Sequence, residues 1–229
     1  VDELAEERRA KELAGPDQIN DWLSENGITP VETDLGAYLI QLRGEIPSHI
    51  IAPAIHVTVP EVEAAFRKAH TRLPADRRLS EYSDLLTEAR GVLRKKYFEA
   101  EVGITGANML IAETGQSVIV TNEGNGDLSQ SLPRVQIVMA SLEKVVPTLE
   151  DASLILRLLG RSATGQEMSV YTTFSRGPRR AGDPDGPEEY HVVLLDNGRS
   201  NLVGTEMQEM LRCIRCGARM NHCSVYQAV

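Results

Sequence analysis

A strand-length apolar run followed by a helix-period stretch occurs twice in this chain, and that order constrains the fold more than any other feature. Residues 28–33, ITPVET, read as a short strand, and Asp34 then caps a stretch in which Leu35, Tyr38, Leu39 and Leu42 keep helical spacing. Residues 135–139, VQIVM, read as a second strand. A capping box, Thr148-x-x-Asp151, opens the helix behind it, with Leu149, Ala152, Leu156 and Leu159 on one face. Residues 168–174 alternate as a strand, and residues 191–195, HVVLL, are nearly apolar on both faces. Strands alternating with helices, several apolar on both faces, point to an α/β fold with a largely parallel sheet flanked by helices. Ligands in such folds sit beyond the carboxyl ends of the strands.

Helices account for much of the first hundred residues. Residues 2–14 have helical composition. A second helix is expected over residues 17–25, with Ile19, Trp22 and Leu23 on one face and Gly27 ending it. Thr58-x-x-Glu61, with Pro60 in the first turn, opens a helix whose stripe is Val59, Val62, Phe66 and Ala69. A longer helix over residues 80–100 places Tyr82, Leu85, Leu86, Ala89, Val92, Leu93 and Tyr97 on one side. Between them residues 47–57, PSHIIAPAIHV, are apolar but broken by prolines, an irregular segment. His49 and His56 could share a face there, yet two separate core or surface histidines are a simpler reading than a metal pair.

Residues 101–126, EVGITGANMLIAETGQSVIVTNEGNG, hold most of the small polar residues able to meet a ligand. Residues 109–112 and 117–121 are strand-length apolar runs, and the four residues between them suit a hairpin turn. Thr105, Asn108, Glu113, Thr114, Thr121, Asn122 and Glu123 then fall at strand ends, beside glycines that let backbone approach closely. These seven are the candidate ligand-binding residues, with Glu113 the candidate catalytic carboxylate and Asn197 a further strand-end residue. A glycine-rich hairpin that merely turns would look the same.

The net charge of −9 excludes a nucleic-acid footprint, which relies on clustered Lys and Arg. The basic cluster Arg176, Arg179 and Arg180 lies in a Pro/Gly loop and reads as solvated. No apolar run approaches the roughly 20 residues of a membrane-spanning helix, and the charged start is no signal peptide, so a cytoplasmic location is expected. No dinucleotide fingerprint, phosphate-binding loop or nucleophile elbow occurs.

Thr205-x-x-Gln208 is expected to cap a final helix leading into Cys213-Ile-Arg-Cys216-Gly-Ala-Arg219-Met-Asn-His222-Cys223-Ser224. The spacing is that of the bacterial iron–sulfur run C-x2-C-x2-C-x3-C-P, in which three cysteines hold one cluster and the fourth ligates another. Arg219 stands at the third cysteine and Ser224 at the proline. A guanidinium stays protonated and cannot ligate. Zinc held by Cys213, Cys216, Cys223 and His222 competes with this reading, although adjacent His222 and Cys223 would have to bend sharply to share one ion. An inert tail is the third alternative.

Together, VETDLGAYLIQL, GEIPSHIIAPAIH, GITGANMLIAETGQSVIVTNEGN, LLGRSATGQ, HVVLLDNGRS and LRCIRCGARMNHCSVYQ resemble the LUD-domain iron–sulfur proteins of lactate utilisation. The likeness covers most of the chain from Val31 to Gln227. It implies a LUD domain over residues 1–204, similar to the NagB/RpiA/CoA-transferase group, and from residue 205 the start of a ferredoxin-like segment whose two cysteine motifs hold two [4Fe-4S] clusters. It also implies a cytosolic three-protein assembly that oxidises L-lactate to pyruvate and passes on the electrons. The expected partners are therefore other lactate-utilisation subunits and a small hydroxy acid such as lactate, and Cys213, Cys216 and Cys223 are the expected metal ligands. Only the first cysteine motif is present, so the sequence looks like a piece of a longer protein; the [4Fe-4S] clusters are expected in the full-length protein, with none complete in this piece.

Three functions follow. The first is an electron-transfer subunit with the LUD domain as ligand- or partner-binding scaffold. The second is transferase or isomerase chemistry with Glu113 or Glu123 as nucleophile on an activated acyl group, although no coenzyme-A-binding glycine loop is found. The third is a non-catalytic small-carboxylate binding module, with Arg161 or Arg134 supplying charge.

Overall fold

The structure, a computed structural model, describes residues 16–49 and 51–222; the helix expected over residues 2–14 and the ligand candidate Cys223 lie outside them. Two compact units make up the chain, Val1–Ser80 and Glu81–Val229.

The first unit holds α1 (Pro16–Glu25), α2 (Leu35–Arg43) and α3 (Val59–Ala69), and the last two begin directly after their capping residues Asp34 and Thr58. Asp34 accepts from the Ala37 amide at 2.9 Å, and Gly44, at φ +67°, closes α2 in the left-handed conformation that glycine adopts without strain. The Thr58 amide donates to Glu61 Oε2 at 2.8 Å, one half of the capping box. Tyr38 and Phe66 are buried, and buried His70 hydrogen-bonds the Tyr38 hydroxyl at 2.8 Å while its ring lies 4.8 Å from that of Phe66.

Residues 28–33 form no strand. The Gln41 side chain serves as their hydrogen-bond partner, accepting from the Glu32 amide at 3.0 Å and donating to the Pro30 carbonyl at 3.1 Å, so the segment stays extended without a neighbouring strand. The two histidines are separately engaged. His49 Nδ1 accepts from the amides of Ile51 and Ala52, whereas His56 lies between Ser48 Oγ (2.7 Å) and Glu45 Oε2 (3.0 Å).

The second unit opens with α4 (Tyr82–Glu99), which buries Leu85, Ala89, Leu93 and Tyr97 at helical spacing. Three strands, β1 (Val102–Gly106), β4 (Val135–Ser141) and β7 (Glu189–Leu195), form a wholly parallel sheet in the order β1-β4-β7. A second sheet has the order β5-β2-β3-β6, from β2 (Met109–Ile111), β3 (Gln116–Thr121), β5 (Val145–Val146) and β6 (Tyr171–Ser175). There β2 is parallel to β5 and antiparallel to β3, which is antiparallel to β6. Two helices, the short α5 (Asn125–Ser131) and the longer α6 (Leu149–Thr164), flank the sheets. The α/β class with a parallel sheet flanked by helices therefore holds, and the hairpin belongs to a separate mixed sheet.

Amphipathic α6 closes the second sheet, with Met109, Ile111, Val118, Val146 and Ala152 in one buried cluster and Ile155 and Leu156 packed against it. Helix α5 sits against β1. Gly103 makes that approach possible, because a Cβ there would lie 1.9 Å from the Ser129 carbonyl oxygen. Beside it Gln136, fully buried, donates to the carbonyls of Ser129 and Gly103 (2.9 and 3.2 Å) and accepts from the Thr105 hydroxyl at 2.7 Å. One expectation is reversed. Val192, Val193, Leu194 and Leu195 of β7 are exposed, because β7 is an edge strand of the parallel sheet and pairs, among the described strands, with β4.

Adding one methyl group at two glycines should have opposite effects. Gly103→Ala must displace α5 from β1 and should cost about 1–3 kcal/mol or more, whereas Gly91→Ala, in open space within α4, should gain about 0.5–1 kcal/mol. Denaturant unfolding of the two variants checks the contrast; equal effects would contradict this packing.

Candidate functional site

Residues 106–108 carry the chain from one sheet to the other. The Ala107 amide still donates to Met139 of the parallel sheet (3.1 Å), while the next amide, Asn108, donates to Val118 of the second (2.8 Å). The Asn108 side chain adds a bond, Oδ1 accepting from the Val120 amide at 2.9 Å. The hairpin then turns at Gly115, φ +69°.

The candidate residues fall into three groups. Thr105 is buried in the parallel sheet against Gln136. Asn108, Thr121, Asn122 and Glu123 lie at the open end of the hairpin, where Asn122 accepts from the Val170 amide (3.1 Å) and donates to Gln166 (3.3 Å). Glu113 and Thr114 lie at its turn, beyond the three paired residues of β2. Glu113 Oε1 accepts from the Leu149 amide at 2.6 Å, filling one of the orphan donors that open α6 and placing negative charge at the positive end of the helix. Two hydroxyls, Thr114 Oγ1 and Thr121 Oγ1, are buried without a hydrogen-bond partner among the described residues. Of the arginines proposed to supply charge, Arg134 is paired with Glu189 and Arg161 with Glu167.

Cys213 is exposed and Cys216 half-buried. The expected final helix is a 3-10 turn over Gln208–Arg212, with the Gln208 side chain folded back onto the Gly204 amide at 2.7 Å; α7 (Ala218–Asn221) follows the second cysteine and carries Arg219. Between the two cysteines Arg215, at φ +56°, reaches Glu143 at 3.3 Å, and Arg199 reaches the same carboxylate at 3.0 Å. Burial opposes ionisation of Glu143, but bonds from the Ser141 hydroxyl, the backbone and Arg199 outweigh it and hold the carboxyl below its ordinary range. Glu143 thus ties the cysteine-bearing segment to the end of β4.

A cluster held by four thiolates needs more than these residues give. Two described cysteines are present, Arg219 cannot ligate, and no group of three metal-ligating side chains occurs among the described residues. The described residues therefore do not complete a four-thiolate site.

Residues that the sequence reading left out meet elsewhere. A cavity of about 770 Å³ lies between α5, β6, the loop after it and Tyr190 at the start of β7, and Arg176, Arg179 and Arg180 line it. The signal was that arginine cluster, exposed as expected but gathered around a cavity.

A profile of the LUD domain matches residues 6–195. The chain belongs to the LUD-domain family. Among curated proteins, lactate utilization protein B of Bacillus subtilis (strain 168) is 44% identical over 216 residues, covering 92% of this chain and 43% of that protein. The protein of the same name from Bacillus licheniformis is 45% identical over 212 residues, covering 92% of this chain and 44% of its own length. The chain thus spans less than half the length of these relatives. A crystal structure of a DUF162 family protein from Deinococcus radiodurans is also similar, with a TM-score of 0.34 and 19% identity over 44% of this chain and 56% of that one. No described helix is long and apolar enough to cross a membrane.

Two substitutions separate support from chemistry. Asn108→Ala should cost about 1–3 kcal/mol, because it leaves the Val120 amide without its partner at the sheet junction. Glu143→Gln should destabilise the chain by a similar amount at neutral pH. Its depressed pKa stabilises the fold above the unfolded value of about 4.3, and that contribution is lost as pH falls through the folded value. Melting curves should show the Glu143→Gln deficit at pH 7 and its disappearance at pH 2; a deficit independent of pH would contradict the ion-pair account.

Proposed function

We propose that this LUD-domain chain belongs to an iron–sulfur electron-transfer subunit of a cytosolic lactate-oxidising system. In this reading residues 1–204 are the ligand- or partner-binding scaffold, and the segment from residue 205 begins a ferredoxin-like part. The assembly converts L-lactate to pyruvate together with other lactate-utilisation subunits. The observation that carries the proposal is a pair of cysteines with iron–sulfur spacing, Cys213 and Cys216, C-terminal to a LUD-domain match over residues 6–195, in a chain 44–45% identical to proteins named lactate utilization protein B. A [4Fe-4S] cluster would draw on Cys213 and Cys216 and require further thiolates; Cys223 is the next in sequence, and by its spacing it would serve the second cluster. What this chain's own residues do is position those two thiols. Glu143 holds Arg215 between them, and Arg199 braces the same carboxylate.

The test is Cys213→Ala with Cys216→Ala in the intact gene product, assembled with its partner subunits. Lactate-dependent reduction of an external electron acceptor should fall at least about tenfold while the melting temperature is kept, as expected if a required redox centre is lost. Unchanged electron transfer would remove the proposed role.

A further inference from the structure

The cavity beside the arginine loop carries chemistry that the proposed function does not use, and its assignment does not depend on that function. On the α5–β6 side its hydroxyl protons are already committed inward. Ser131 Oγ donates to the Asp127 carbonyl (2.7 Å), Ser175 Oγ to Gln130 Oε1 (2.8 Å), and Thr173 Oγ1 to the Asp127 carboxylate. Each hydroxyl oxygen therefore keeps lone pairs for an incoming donor and has no proton of its own to offer. The loop presents the opposite. Arg179 is occupied by Glu188 at 2.6 Å, but the guanidinium groups of Arg176 and Arg180 make no hydrogen bond or ion pair with any described residue. Both line the cavity and can donate only.

We propose that this cavity binds a hydroxylated organic anion. Arg176 and Arg180 take its carboxylate or phosphate, and its hydroxyls donate to Ser131, Thr173 and Ser175. Guanidinium groups match either oxyanion through paired N–H donors. The cavity of about 770 Å³ lies within the roughly 300–1,000 Å³ of small-molecule sites and leaves room for a ligand larger than a three-carbon acid. Asp183 and Asp185 line it too, so a bare anion meets like charge, while one carried on a neutral hydroxylated body can be held at one end.

Calorimetric titration of the chain with gluconate, glucose 6-phosphate, glucose and inorganic phosphate tests this. Gluconate or glucose 6-phosphate should bind one per chain, and whichever binds more tightly tells carboxylate from phosphate. Glucose and inorganic phosphate should each bind at least about tenfold more weakly, since each lacks half of the recognised groups. Arg176→Ala with Arg180→Ala, both exposed, should leave the melting temperature unchanged and weaken binding by at least about tenfold. The proposal is overturned if neither acid binds at millimolar concentration, if inorganic phosphate binds as well as they do, or if the double variant binds like the parent.

Discussion

The second unit depends on one short crossing between sheets. Consecutive amides at Ala107 and Asn108 donate to different sheets, and the Asn108 side chain locks the second contact through Val120. Because strand side chains alternate, a slip of one residue there would turn Met109 and Ile111 away from α6 and empty the cluster with Val118, Val146 and Ala152. The crossing also fixes where the hairpin turn falls. Glu113 is thereby delivered to the first amide of α6, so the register of a three-residue strand sets the start of a sixteen-residue helix.

Local signals explain what could be read from the sequence. Asp34, Thr58 with Glu61, and Thr148 with Asp151 mark helix starts because capping is settled within four residues. The turn at Gly115 is equally local. What eluded the sequence depended on distant partners. Residues 28–33 have strand composition, but the Gln41 side chain took the place of a strand. Residues 192–195 are apolar enough for a central strand, yet β7 lies at a sheet edge. The split into two sheets was hidden because periodicity tells which residues form strands and not which strands pair.

The candidate site follows the same pattern. Composition singled out the polar residues at the hairpin ends, and the fold distributes them between its two ends and the parallel sheet, with Asn108 and Glu113 bonded to backbone amides. The arginine cluster was visible as charge alone. Its relation to Ser131, Thr173 and Ser175 appears only when the loop after β6 folds back along α5, where the Gly186 amide donates to the Ser131 carbonyl at 3.1 Å. At the other end of the unit, Glu143 explains how a short cysteine-bearing segment with little regular structure is held beside β4.

If this LUD domain serves an iron–sulfur electron carrier, metal content reveals it most directly. Iron and acid-labile sulfide should be measured, after anaerobic reconstitution, on the intact gene product and on the 229-residue chain. About eight irons are expected per intact chain, the content of two four-iron clusters, and almost none on the 229-residue chain, whose described residues give two thiolates. Little iron in both would mean that Arg219 marks a lost cluster, and would contradict the electron-transfer role.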